Sequence, residues 1–75
     1  MVELVRYIAR SLVEKPDAVD VREVENADSI VIELRVDADD MGKVIGKQGR
    51  IAKAIRAVVK AASVNSPKPV FVEII

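Results

Sequence analysis

The stretch Val44-Ile45-Gly46-Lys47-Gln48-Gly49-Arg50 decides how this chain is read. A G-x-x-G pair by itself says little: with glycine at about 7% of residues, a chain of this length holds one by chance roughly one time in three. The setting says more. Gly42, Gly46 and Gly49 are the only glycines in the protein, and all lie in this neighbourhood. A short helix, capped by Asp39 or Asp40, is expected to run into the motif through Val44 or Ile45. Gly46 ends it where a left-handed residue is wanted. A longer helix leaves the motif after Gly49 and runs to about Val64. Lacking Cβ atoms, Gly46 and Gly49 let an incoming backbone approach closely. The amides that open the second helix, together with its dipole, favour an anion there. Lys47 and Gln48, at the tip, can contact phosphate oxygens, and Lys43, Arg50 and Lys53 add charge beside the same path. A helix–helix corner that needs glycine only for its backbone angles is the structural alternative; the lysine at the tip and the basic surroundings favour a binding loop.

Charge segregation points the same way. The 75 residues carry no formal net charge, yet residues 1–40 sum to −6, residues 41–68 to +7, and Glu73 supplies the remaining −1. Residues 41–68 contain seven basic side chains and no acidic one. A neutral protein with one wholly basic segment has an electrostatic face suited to a polyanion.

Outward from the motif, the chain reads as one domain over residues 1–75. Leu4, Val5, Ile8 and Leu12 fall at helical spacing within Val2 to Glu14, and Pro16 stops that helix. Val19, Val21 and Val24 read as a strand whose alternation slips near Glu23, as at a bulge. Asn26-Ala27-Asp28 makes a turn. Ile30, Ile32, Leu34 and Val36 then alternate cleanly with polar or outward positions. In the long helix, Ile51, Ile55, Val58 and Ala62 gather on one side of a helical wheel, opposite Arg50, Lys53, Arg56 and Lys60. Asn65 to Pro69 is a loop, and Val70 to Ile75 closes the chain as a strand with Val70, Val72 and Ile74 on one face. The order α-β-β-α-α-β predicts an α+β fold, a two-layer sandwich of helices on a small sheet.

Several function classes are disfavoured. The chain has no cysteine and no histidine, which removes the usual acid–base group near neutral pH, the commonest zinc ligand and the strongest side-chain nucleophile. A binding module is expected rather than an enzyme, with no catalytic residues, cofactor, metal or small-molecule substrate. Apolar runs are too short to span a membrane, and Glu3, Arg6 and Arg10 interrupt any signal-peptide pattern; a cytoplasmic location is expected. Gly42-x-x-x-Gly46-Lys47 is one residue short of a P-loop and has Gln48 where a hydroxyl should bind magnesium. Asp37, Asp39 and Asp40 read as helix caps rather than metal ligands. Tyr7 and Phe71, the only aromatic residues, lie outside the basic segment, which argues against modules that stack bases on aromatic platforms. A helix-turn-helix is disfavoured by the glycine-bounded basic turn. The rival of another class is a protein-interaction subunit, since Val31, Phe71 and Ile75 fall on the sheet face opposite Ile30, Ile32, Val70 and Val72.

The segment Val44 to Arg50 resembles the I-G-x-x-G signature of KH domains, and the element order resembles their type II topology. The resemblance covers the whole chain and is strongest to the small single-KH proteins of bacteria, the KhpA family. Asp39-Asp40-Met41-Gly42-Lys43 before the signature and Ile51 to Arg56 after it look like that family. The resemblance implies a mixed three-stranded sheet backed by three helices, and a narrow groove holding about four unpaired nucleotides. It also implies single-stranded RNA as partner, with Lys43, Ile45, Gly46, Lys47, Gln48, Gly49, Arg50 and Lys53 as the binding residues. Ile45 would supply an aliphatic surface for a base. An RNA-chaperone role, pairing with itself or with a larger KH-containing protein, and a link to cell shape and division are further implications. One departure stands out. Many KH domains carry a large aliphatic residue three positions after the second glycine, where this chain has Ala52, with Ile51 one place earlier.

Overall fold

A computed structural model describes residues 1–75. The elements run α1 (Val2–Leu12), β1 (Asp20–Glu25), β2 (Ile30–Arg35), α2 (Met41–Ile45), α3 (Arg50–Ala62) and β3 (Val70–Ile74), in the expected order. The strands form one sheet in the order β1-β2-β3, antiparallel between β1 and β2 and parallel between β2 and β3. A parallel pair cannot be joined by a tight turn, and α2 and α3 make the crossover. Helices cover one face of the sheet, so the fold is the α+β two-layer sandwich that the pattern predicts.

The inner face is built by strict alternation. Ile32 and Leu34 are fully buried; they pair with Val72 and Ile74 on one side, and Leu34 pairs with Val21 on the other. Val5 and Ala9 of α1, Val44 of α2, and Ile55 and Val59 of α3 close over this face as one apolar cluster. Each large aliphatic side chain so buried stabilises the fold by about 1.5–3 kcal/mol.

Four local expectations need correction. The β1–β2 register is unbroken from Asp20↔Arg35 to Glu25↔Ile30, so there is no bulge near Glu23. Without one, Val21 and Val24, three residues apart, must point to opposite faces; Val21 is buried and Val24 is exposed. Neither Asp39 nor Asp40 caps α2 with its side chain. Asp37 instead accepts the Asp39 N–H at 2.9 Å and caps the short 3₁₀ turn that precedes α2. Hydrogen bonding to that amide, and then Lys15 nearby, holds the Asp37 carboxyl below its ordinary range.

Asp40 is 2% exposed, and its two oxygens accept the N–H groups of Glu14 and Lys15 at 3.2 and 3.0 Å. That pairing draws residues 14 and 15 out of helical geometry, so α1 ends at Leu12, short of Glu14. Finally, α3 is rotated from the predicted wheel. Ala52, Ile55 and Val59 are buried, while Val58 and Ala62 are exposed. Leu12 of α1 is likewise exposed, and Ala9 takes the buried place.

Candidate nucleic-acid interface

The loop between α2 and α3 contains three departures from ordinary backbone. Gly46 has φ 75° and ψ 172°, Gln48 has φ 59° and ψ 25°, and Gly49 has φ 73° and ψ 15°. Gly46 therefore ends α2 with positive φ but not in the left-handed helical well that the sequence suggested. Extended ψ at positive φ is open essentially to glycine alone. A second constraint acts at the same residue: a Cβ there would lie 2.6 Å from Ile51 Cγ1. Gly49 faces no such neighbour, so only its left-handed backbone favours glycine. The Gly49 N–H donates to Gly46 C=O at 3.1 Å, which closes the loop into a single tight turn. Ile51, partly buried against the core, fills the space beneath it, while Ala52 is buried on the helix face one step round.

The predicted site residues are brought together with one exception. Lys47 and Gln48 are exposed at the loop tip, Arg50 and Lys53 are exposed on the first turns of α3, and Gly46 and Gly49 flank the turn. Ile45 presents an apolar side chain at the surface where α2 ends, 37% exposed. The Arg50 guanidinium approaches the Gln48 amide oxygen at 3.4 Å. Lys43 is the exception. Its ammonium turns toward acids at the joint of α1 and α2, 3.6 Å from Glu14 and 4.0 Å from Asp40, rather than toward the loop.

Of the seven basic residues between positions 41 and 68, Lys43 and Lys68 alone form ion pairs. Lys47, Arg50, Lys53, Arg56 and Lys60 have no carboxylate partner. Unpaired cations on one loop and one helix leave a positive field at the surface, and this is where a polyanion is attracted. Arg56 and Lys60 lie outside the expected set. Their spacing from Lys53, three and seven residues on, places them on the same side of α3. The Arg56 Nε donates to the Val72 carbonyl at 3.3 Å and so spans from α3 to the edge strand β3. Helical periodicity carried forward from Lys53 is the signal that finds them.

A glycine-bounded loop between two helices, set on a mixed sheet in the order α-β-β-α-α-β, defines the KH class in its type II topology. The chain belongs to the KhpA/KhpB KH-domain family, whose sequence model matches residues 2–74. It is 64% identical over 75 residues to the RNA-binding protein KhpA of Clostridium perfringens and 61% identical over 75 residues to that of Caldanaerobacter subterraneus subsp. tengcongensis, in both cases covering all of each chain. Among solved structures it is similar to an Era variant of Aquifex aeolicus bound to GDP and aluminium fluoride, with a TM-score of 0.65 and 27% identity over 97% of this chain. A structure of Era in complex with MgGDPNP and nucleotides 1506–1542 of 16S ribosomal RNA gives a TM-score of 0.64, 27% identity and 99% coverage of this chain. The chain spans 28% and 30% of those two Era chains. No helix is long and apolar enough to cross a membrane.

Proposed function

We propose that this protein is an RNA-binding module of the cytoplasm that grips single-stranded RNA at Gly46–Gly49, acting broadly as a chaperone or post-transcriptional regulator. The observation that carries this reading is the union of the tight glycine turn with five unpaired cations, Lys47, Arg50, Lys53, Arg56 and Lys60. The turn exposes backbone to a sugar–phosphate chain, Lys47 and Gln48 reach its oxygens, and Arg50 and Lys53 follow it along α3. Ile45 offers an unstacked base an aliphatic surface, as a KH groove holding about four nucleotides requires. Lys43 contributes least, because Glu14 and Asp40 already engage it. The relatives' name, RNA-binding protein KhpA, supports the same partner. No catalytic residue, cofactor or metal enters this mechanism. Titrating a fluorescent, unstructured oligonucleotide with the full chain tests it: saturable binding is expected, and none at micromolar protein would refute it.

A second reading is favoured by one specific row. Val24, Val31 and Phe71 stand side by side across the outer face of the sheet, in register, and Phe71 is 56% exposed. An apolar row of this kind on an uncovered face supports association with a second copy or with a larger KH-containing partner. Such association is compatible with RNA binding at the opposite layer.

A further inference from the structure

β1 is an edge strand, and its outer edge is open. The Asn26 N–H donates to the Ser29 carbonyl at 2.8 Å, which sets the phase of the ladder to β2. Bonded and non-bonded pairs alternate along an antiparallel ladder. With Asp20↔Arg35 through Glu25↔Ile30 in register, Arg22 and Val24 therefore bond to β2, while Val21, Glu23 and Glu25 turn their peptide groups away from the sheet. Val21 is buried in the core. Glu23 and Glu25 are exposed, and their two N–H and two C=O groups have no partner.

An open edge can take a further strand, and the side chains along it decide which. Asp17 stands just before β1, Glu23 at its middle and Asp28 in the connection to β2. All three are exposed, and none forms an ion pair. Arg22, the one basic residue of the strand, is engaged by Asp20 at 3.0 Å. Glu25 holds the Lys68 ammonium at 2.7 Å, so a lysine beside this edge is a contact that the fold itself uses.

A second copy is a poor occupant. A two-fold axis sets two such edges antiparallel, and over the exposed residues each register brings like charges together: Glu23 meets Glu23 or Glu25, or Arg22 meets Arg22. Like charges directly opposite are destabilising. RNA is repelled by the same carboxylates. The unpaired cations of α3 stand instead toward β3, which Arg56 reaches, two strands or about 10 Å from β1.

An extended basic segment of another protein is what the edge complements. We infer that β1 docks such a segment as an added strand, in the antiparallel sense that pairs more stably. Its main chain bonds to Glu23 and Glu25. A Lys or Arg lies opposite Glu23, and an apolar residue opposite Val24 prolongs the row Val24–Val31–Phe71. Charged edges ordinarily keep strands from pairing; here they reject an identical or acidic strand and admit a basic one.

The test uses the full chain and the capped hexapeptide Lys-Val-Lys-Glu-Val-Lys, whose second lysine falls opposite Glu23 and first valine opposite Val24. Saturating peptide should slow hydrogen exchange at the Glu23 and Glu25 amides by about tenfold or more, because each gains a bonded partner. N-methylation of the lysine opposite Glu23 removes a donor that faces β1 and should abolish that protection. N-methylation of the valine opposite Val24, whose N–H faces away, should preserve it. Glu23→Lys should weaken peptide binding about tenfold. Binding that leaves both amides unprotected, or that ignores which residue carries the methyl group, is charge attraction alone and overturns the docking site. A Glu23→Lys protein that binds like wild type also overturns it; should that variant not fold, the two methylated peptides on wild type decide. Protection that grows with protein concentration in the absence of peptide gives the edge to a second copy, and protection by a single-stranded oligonucleotide gives it to RNA. Either result overturns the site, as does the absence of peptide binding.

Discussion

Gly46 and Ile51 are interlocked: a Cβ on Gly46 would lie 2.6 Å from Cγ1 and 2.9 Å from Cβ of Ile51. The residue that packs beneath the loop thus dictates the residue that bends it. The three glycines consequently predict three different outcomes in urea denaturation. Gly46→Ala meets both a clash and a forbidden backbone and should cost about 3 kcal/mol or more. Gly49→Ala meets open space at left-handed angles and should cost about 1–2 kcal/mol. Gly42→Ala, helical and unobstructed, should stabilise by about 0.5–1 kcal/mol. Equal effects at all three positions would contradict this assignment.

Asp40 joins the end of α1 to the start of α2, and both bonds it accepts are charge-assisted. Asp40→Ala would leave two partly buried N–H groups without a partner and should cost about 2–3 kcal/mol. Asp39→Ala, whose side chain is exposed and paired only with Lys15, should change stability by less than about 0.5 kcal/mol. Thermal melts of the two variants compare them directly; an Asp40→Ala protein as stable as Asp39→Ala would remove Asp40 from this role.

The element order was legible in the sequence because β2 and β3 alternate over several residues and because the glycine motif fixes where α2 stops and α3 starts. What could not be seen were long-range choices. Val24 looked like part of the face shared by Val21, and only the continuous pairing with β2 shows that it points outward. Asp40 looked like a cap because the local rule is strong, but its partners lie 25 and 26 residues upstream. The apolar side of α3 was rotated because small residues such as Ala52 are buried where helix and sheet approach closely, and a wheel weighted by large side chains passes over them. At the loop, the residue types were legible; the engagement of Lys43 by Glu14 and the reach of Arg56 to β3 are products of packing.

The row Val24–Val31–Phe71 predicts self-association through the outer sheet face. Light scattering at micromolar concentration should give a mass above the monomer, and Phe71→Glu should return it to the monomer. A dimer that survives Phe71→Glu would place the interface elsewhere, and a monomeric mass throughout would remove self-association.

Salt should weaken RNA binding in a specific way. Three to five phosphates neutralised by the unpaired cations on a single strand give a slope of log K against log salt of roughly −2 to −3.5. A stable duplex should compete poorly, since a groove between α3 and β3 admits only splayed bases. Equal affinity for duplex and single strand would contradict the proposed mode of binding.

The central claim, that the tip of the glycine loop grips RNA, is tested most directly by replacing Lys47 and Gln48 together with Asp. Neither side chain contributes to the core, and Asp tolerates the positive φ that Gln48 adopts. Gel-shift or anisotropy affinity for single-stranded RNA is measured alongside circular dichroism and melting. The account predicts a wild-type spectrum and melt with binding abolished. RNA binding undiminished in the double variant would contradict it.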